Sequence, residues 1–586
     1  MQRQTWIGLF LITLLMFLWT LWIARSSAPS SPSQPDTVQT SSSFPRDTVS
    51  SAPALDSATR AARFGIYAQF TQGRDSIFFV ETRSMRLGFG TRGARLYNQN
   101  LKGFTTSSQK PIQLWDSLQQ YQFIFAEGRS IVSSKELFFS LVHAPGPLIE
   151  RGEDSVVFRL ELAKDTFIQV SYHIPADGYH LDWKVDFRGL RERLRNPYIL
   201  CTIQYQTPQT EPSSELMQPH CMLYYRQGED IEALTPDEEE TEQKVLQGRI
   251  QWVSAKGQFF CFILQAKSAF SGATLTSLPY TTLPRYQLQL QLPLEGEKAQ
   301  QRWYLGPTRY TLLKSYGESY EKQLNLGWSF IRYINTLFII PLFNFMEKYI
   351  PSYGIIITIL ALVVKIILSP LTWRSYMIGV RMQIVNELPE VKALEEKYKD
   401  QPDKLMVERT LLYRQLGVNP LSGCIPLLLQ IPIFFAMTSF FPNAFELRQQ
   451  GFLWTRDLSS YDNLISWGID LPLIGDHLSL FALLTALSTL AFTYFTQQSQ
   501  TSLDPRLRWL PYLTPVIFFI FLNDYSSALS WYYFVLNVLT IAQTLIMKRF
   551  VDRESLIRKL REAQKRKQVK VQMKEERARM RRWLKR

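Results

Sequence analysis

Lys365 is the only charged residue in an apolar run spanning residues 349–373. At about 1.5 Å per residue that run is long enough to cross a bilayer, and a lysine near its middle costs about 2.5–3.5 kcal/mol on insertion scales. Arg374 lies nine residues further on, roughly 13 Å along a helix and about twice the reach of a snorkelling side chain. Lys365 therefore requires polar company inside the hydrocarbon region. A charge in that setting faces a partner or a wet cavity and marks a working site.

Other apolar segments carry that company on defined faces. Tyr533, Asn537, Thr540 and Thr544 fall at i, i+4, i+7 and i+11, one face of a helix, and Thr485, Thr489, Thr493 and Thr496, at i, i+4, i+8 and i+11, share one face of a second segment. Gln430 sits within a third. Small hydroxyls alone let membrane helices pack closely, so a single threonine carries little weight. A lysine, a glutamine and an asparagine together carry more, because each would otherwise bury unpaired polar atoms. They predict a shared hydrated groove. The chain has no phosphate loop, GxSxG, HExxH or His-rich metal spacing, so the expectation is a passive, non-enzymatic machine with no metal and no cofactor.

The elements that must position these residues follow from composition. Residues 1–25 read as a transmembrane anchor behind Arg3, with cleavage near Ala24 as the alternative. Residues 26–60 form a Ser/Pro-rich tether. From 61 to 305, short β-rich segments separated by turns such as Ala176-Asp177-Gly178 predict a large extracytoplasmic all-β sandwich. The acidic stretch 237–242 reads as a solvated loop there. Residues 306–350 are a connector and an interfacial amphipathic helix, interrupted by Arg332, Asn335, Pro341 and Asn344. Transmembrane segments are expected at 351–373, 421–441, 478–497, 510–523 and 528–547, which with the anchor makes six. The segment 510–523 is well short of the roughly 20 residues a typical core needs. Such a helix thins the bilayer and lowers the barrier to moving a polar segment across it.

Charge sets the orientation. The segment 374–417 is rich in lysine and arginine, 442–477 carries only Arg448 and Arg456, and the tail 548–586 is strongly basic, a pattern that puts both termini in the cytoplasm and the β-domain outside. Residues 374–417 read as a cytoplasmic helical hairpin. Ile384, Leu388, Val391, Leu394 and Tyr398 form one apolar stripe, a break follows at 399–402, and Asp403 caps the second helix. The formal charge of +14 is concentrated in the tail, where Arg558, Lys559, Lys565, Arg566, Lys567, Arg581 and Arg582 suit an anionic partner, either RNA or acidic lipid headgroups. Cys201, Cys221 and Cys261 leave room for at most one internal bridge, and Cys424 falls in a membrane segment.

Two runs give these residues a recognisable setting: Val364-Lys365-Ile366-Ile367-Leu368-Ser369-Pro370-Leu371-Thr372, and Gly417-Val418-Asn419-Pro420-Leu421-Ser422-Gly423-Cys424-Ile425-Pro426-Leu427-Leu428-Leu429-Gln430-Ile431-Pro432-Ile433-Phe434. With Tyr304-Leu305-Gly306-Pro307 closing the β-region, the chain resembles the YidC insertases of bacteria, relatives of the organellar Oxa and Alb insertases. The resemblance implies a periplasmic β-supersandwich and a core of five helices whose hydrophilic groove opens to cytoplasm and lipid. It implies insertion of nascent membrane proteins in the inner membrane, alone or beside the Sec translocon, as a monomer or part of a complex. Lys365 then takes the place of the groove cation, with Gln430 and Tyr532 or Tyr533 as matching groove positions. The hairpin and tail would meet the ribosome or targeting machinery, and the tail acidic phospholipids. Well-studied Gram-negative members carry arginine where this chain has Lys365.

Two other readings accommodate a charge within the bilayer less well. A secondary transporter would show an inverted repeat, which the chain lacks. A membrane receptor with an outer sensor gives no reason for Lys365.

Overall fold

Residues in the strand His180–Arg188 alternate strictly, with Leu181, Trp183, Val185 and Phe187 buried and their neighbours partly exposed, as a period of two requires when one face of a sheet meets a core. The computed structural model describes residues 57–128, 130–398, 401–416, 425–471, 474–497 and 509–558, with isolated positions 562, 573 and 576. The expected anchor at 1–25, most of the tether and Cys424 lie outside the described residues. The chain divides into two compact units, Met1–Leu324 and Asn325–Arg586.

The first unit is a β-sandwich. A four-stranded antiparallel sheet (Ile77–Glu81, Met85–Gly90, Arg95–Thr105, Pro111–Trp115) faces a larger sheet of thirteen strands among the described residues. Trp115 from the small sheet meets Phe262 and Trp303 of the large one at ring centroid distances of 5.1 and 5.4 Å. Two polar ties join the sheets, from the Tyr172 hydroxyl to the Ala94 carbonyl at 2.9 Å and from Gln99 Nε2 to the Leu305 carbonyl at 3.4 Å. Cys201, Cys221 and Cys261 are buried free thiols. Lys256, which closes the strand Glu242–Lys256, is 2% exposed and donates from Nζ to the His220 carbonyl at 3.2 Å.

The second unit is helical. We label α1 (Ser329–Glu347), α2 (Tyr353–Glu387), α3 (Pro389–Lys397), α4 (Pro402–Leu416), α5 (Ile425–Phe440), α6 (Leu480–Gln497), α7 (Leu513–Asn523) and α8 (Ser527–Phe550). Among the described residues α1, α2 and α8 are long and apolar enough to cross a membrane, and α6 and α7 are shorter apolar helices. In α1 a π-helical turn at Asn335–Ile339 accompanies the buried Asn335, whose Nδ2 donates to the carbonyls of Leu326 and Ala436 at 2.9 and 3.0 Å.

Two boundaries differ from expectation. The helix bearing Lys365 does not end near Trp373; it continues for 35 residues to Glu387. The backbone does not break at Arg374, and the helix stops only where Leu388 turns extended (ψ 141°) ahead of Pro389. The second hairpin helix begins at Pro402, so Asp403 lies inside its first turn instead of capping it; proline is favoured at that first position.

Candidate functional site

Lys365 sits on α2 between neighbours that point elsewhere: Ile366 and Ile367 are 60% and 55% exposed, the apolar surface expected toward lipid. The lysine is half-buried and turns to α8, where Nζ donates to Thr540 Oγ1 at 2.7 Å. No carboxylate among the described residues forms an ion pair with it. Two of its three N–H donors have no described side-chain partner.

Helix α8 supplies the polar face because its residues recur at helical spacing. Asn537 faces α6, donating to Ser488 Oγ at 3.0 Å and Thr489 Oγ1 at 2.8 Å. Thr540 faces α2. Thr544, half-buried one turn on, donates back to the Thr540 carbonyl at 2.8 Å. Near the other end of α8, Trp531 Nε1 donates to Thr358 Oγ1 at 3.0 Å, and Thr485 of α6 donates to the Ser530 carbonyl at 2.8 Å. Polar contacts thus run along α8 on both sides, with Lys365 the sole cation among those residues.

The predicted set is only partly assembled. Gln430 is exposed on α5. Tyr532 and Tyr533 are buried, 0% and 5% exposed; Tyr532 packs on Phe441, and the Tyr533 hydroxyl donates to the Phe434 carbonyl at 3.2 Å. These rings pack against residues of α5 and just beyond its end, and neither bonds Lys365. Conversely Gln543 was missed. Its Nε2 donates to Thr372 Oγ1 at 2.9 Å, a further polar tie between α8 and α2 beside those of Thr540 and Trp531, and a glutamine within an apolar segment was the available signal. In the tail Arg558 is exposed, whereas Lys559, Lys565, Arg566, Lys567, Arg581 and Arg582 lie outside the described residues.

Both ends of the helical unit are pinned. At one, Asp462 is 4% exposed and accepts from Ser479 Oγ (2.5 Å), Trp454 Nε1 (2.7 Å) and the backbone N–H groups of Leu480 and Phe481 (3.0 and 3.1 Å). It thereby satisfies donors at the start of α6, where the helix dipole favours an anion. At the other, Val385 and Val391 are fully buried with Tyr413 and Leu556, and Arg553 pairs with Glu387 at 3.0 Å. The first residues of the tail thus pack against the hairpin.

Family comparison covers both units. Residues 345–554 match the family described as 60Kd inner membrane protein, and residues 78–340 match the YidC periplasmic domain family. The chain is 31% identical over 574 residues to an Amoebophilus asiaticus protein named membrane protein insertase YidC, spanning 96% of this chain and 94% of the relative. Relatives of the same name from Parabacteroides distasonis and Azobacteroides pseudotrichonymphae are each 32% identical. The matches cover 91% and 87% of this chain, and 87% and 86% of those proteins.

Proposed function

This chain belongs to the YidC family of membrane protein insertases, and we propose that it moves polar segments of nascent membrane proteins across the inner membrane along the face of α8 that carries Asn537, Thr540 and Thr544. The observation that supports this reading is the half-buried Lys365 ammonium, held by a hydroxyl and left with donors to spare. An acidic or polar client segment gains hydrogen bonds and a counter-charge there, while the hydrophobic part of the client leaves into lipid. Helix α7, with 11 residues, spans about 17 Å at 1.5 Å per residue, so the bilayer beside the site is thin and the polar path short.

The rest of the reading extends from this site. The β-sandwich is periplasmic and both termini are cytoplasmic. The hairpin and the basic tail engage the ribosome, the tail also meets acidic phospholipids, and insertion proceeds alone or beside the Sec translocon. Chemistry is confined to binding and desolvation, with no covalent step.

A photoreactive residue at position 430 or 544 of the full-length protein is expected to crosslink a stalled nascent membrane protein. Adducts forming equally well from position 367, on the apolar surface, and from 544 would contradict a polar path.

A further inference from the structure

Thr540 is the residue of α8 whose side-chain oxygen meets Lys365. Its single hydroxyl hydrogen is donated to the Leu536 carbonyl at 2.6 Å, one turn back, so the oxygen presents only lone pairs away from the helix. It is these that accept from Lys365 Nζ. Of the other polar side chains of α8, Asn537 donates to α6 and Gln543 to Thr372 of α2, while Thr544, its hydroxyl turned back to the Thr540 carbonyl in the same way, makes no described bond to Lys365. The β-branch of threonine restricts χ1, which fixes the direction of the acceptor, whereas the lysine stem has four rotatable carbons and no preferred end point of its own.

We propose that Thr540 is the positioning residue of the site: it parks the Lys365 ammonium on α8 so that its other two donors meet Asp and Glu side chains of a client at a fixed place. This inference rests on the insertase reading and adds a demand for a hydroxyl acceptor at 540. A methyl of the same shape cannot meet it. Without the acceptor the ammonium becomes mobile, and the advantage of an acidic client over a neutral one shrinks.

The test uses full-length protein in vesicles with two clients that differ only by Asp or Asn in the translocated segment. Thr540→Val is expected to reduce the Asp-over-Asn preference about fivefold, the net size of one ordinary hydrogen bond, with Thr540→Ser returning to within about twofold of the parent. Lys365→Gln is expected to abolish the preference, and adding Thr540→Val to it should change nothing more. Acylation of Lys365 by a water-soluble amine reagent, read by mass spectrometry, should quicken in Thr540→Val and not in Thr540→Ser. An unchanged preference in Thr540→Val would overturn the inference, as would equal losses on both clients that serine fails to rescue. If Lys365→Gln itself kept the preference, the charged-site reading would fail as a whole; if it lost the preference while Thr540→Val kept it, only the role of Thr540 would fall.

Discussion

Lys256 and Lys365 each donate one hydrogen bond to one protein oxygen, the first inside the β-sandwich and the second on the polar face of the helical unit. What surrounds the rest of each ammonium separates them. Lys256 is 2% exposed among buried side chains that include Cys261, its partner across the strands, and burial pushes its pKa down to about 8. There the charge opposes folding. Lys365 is half-buried beside exposed apolar side chains and keeps donors that no described side chain meets. A sealed lysine is a burden on its domain, whereas an open one is available to a visitor. Asp462 is the third case, an anion sealed and matched on every side, whose four donors make it part of the scaffold.

The largest effect belongs to the sealed anion. Asp462→Ala strands four donors and removes the cap of α6, an expected loss of about 4 kcal/mol. Protease protection of the helical unit against denaturant should reveal it, with acidic and neutral clients losing insertion together. Selective loss of acidic clients would move Asp462 from scaffold to site.

The sealed lysine predicts a smaller change of opposite sign. The gap between the ordinary value of 10.5 and about 8 corresponds to about 3 kcal/mol at pH 7. Lys256→Met is expected to stabilise the β-sandwich by up to that amount. Between pH 8 and 10.5 the unfolded chain holds a proton at Lys256 that the folded one lacks, so the parent gains stability as pH rises through this window. The penalty is complete below it. The difference between parent and variant in urea unfolding should therefore be constant below pH 8 and close toward pH 10.5. A gap independent of pH would mean that Lys256 is not sealed.

The open lysine should affect function and leave stability alone. Lys365→Gln is expected to slow insertion of acidic clients about tenfold, equivalent to about 1.4 kcal/mol, with neutral clients and the unfolding of the β-sandwich unchanged. Smallest of all, Lys365→Arg keeps the charge and is expected to stay within about twofold on both clients; the planar guanidinium still reaches Thr540. A loss in the arginine variant equal to that in glutamine would mean that shape, rather than charge, is read at this site.

Sequence made some of this legible and hid the rest for identifiable reasons. A lone lysine in an apolar run demands a partner, and Thr540 lay on the stripe that spacing picked out. The strands of the sandwich announced themselves by alternation, as in His180–Arg188. The packing of Tyr532 on Phe441 and of Tyr533 on Phe434 gave no sequence signal, because an aromatic hydroxyl suits a groove and a helix seam alike. Arg374 concealed the continuation of α2, since a charge can end a membrane span without ending a helix. Asp462 gave no periodic signal at all; its role depends on Trp454 and Ser479 meeting it from different turns of one loop. Lys256 stands beside Gly257, a residue that suits a turn, and its burial emerges only when Met222 and Cys261 flank it from neighbouring strands.

Charge reversal at the site tests the central claim most directly. Full-length Lys365→Glu in vesicles without a membrane potential would be compared with the parent on clients carrying a single Asp or a single Lys in the translocated segment. The account expects the order of the two clients to invert, Asp ahead of Lys in the parent and Lys ahead of Asp in the variant. If both clients fell equally, or the order stayed as it was, the charge at residue 365 would have no part in choosing what crosses.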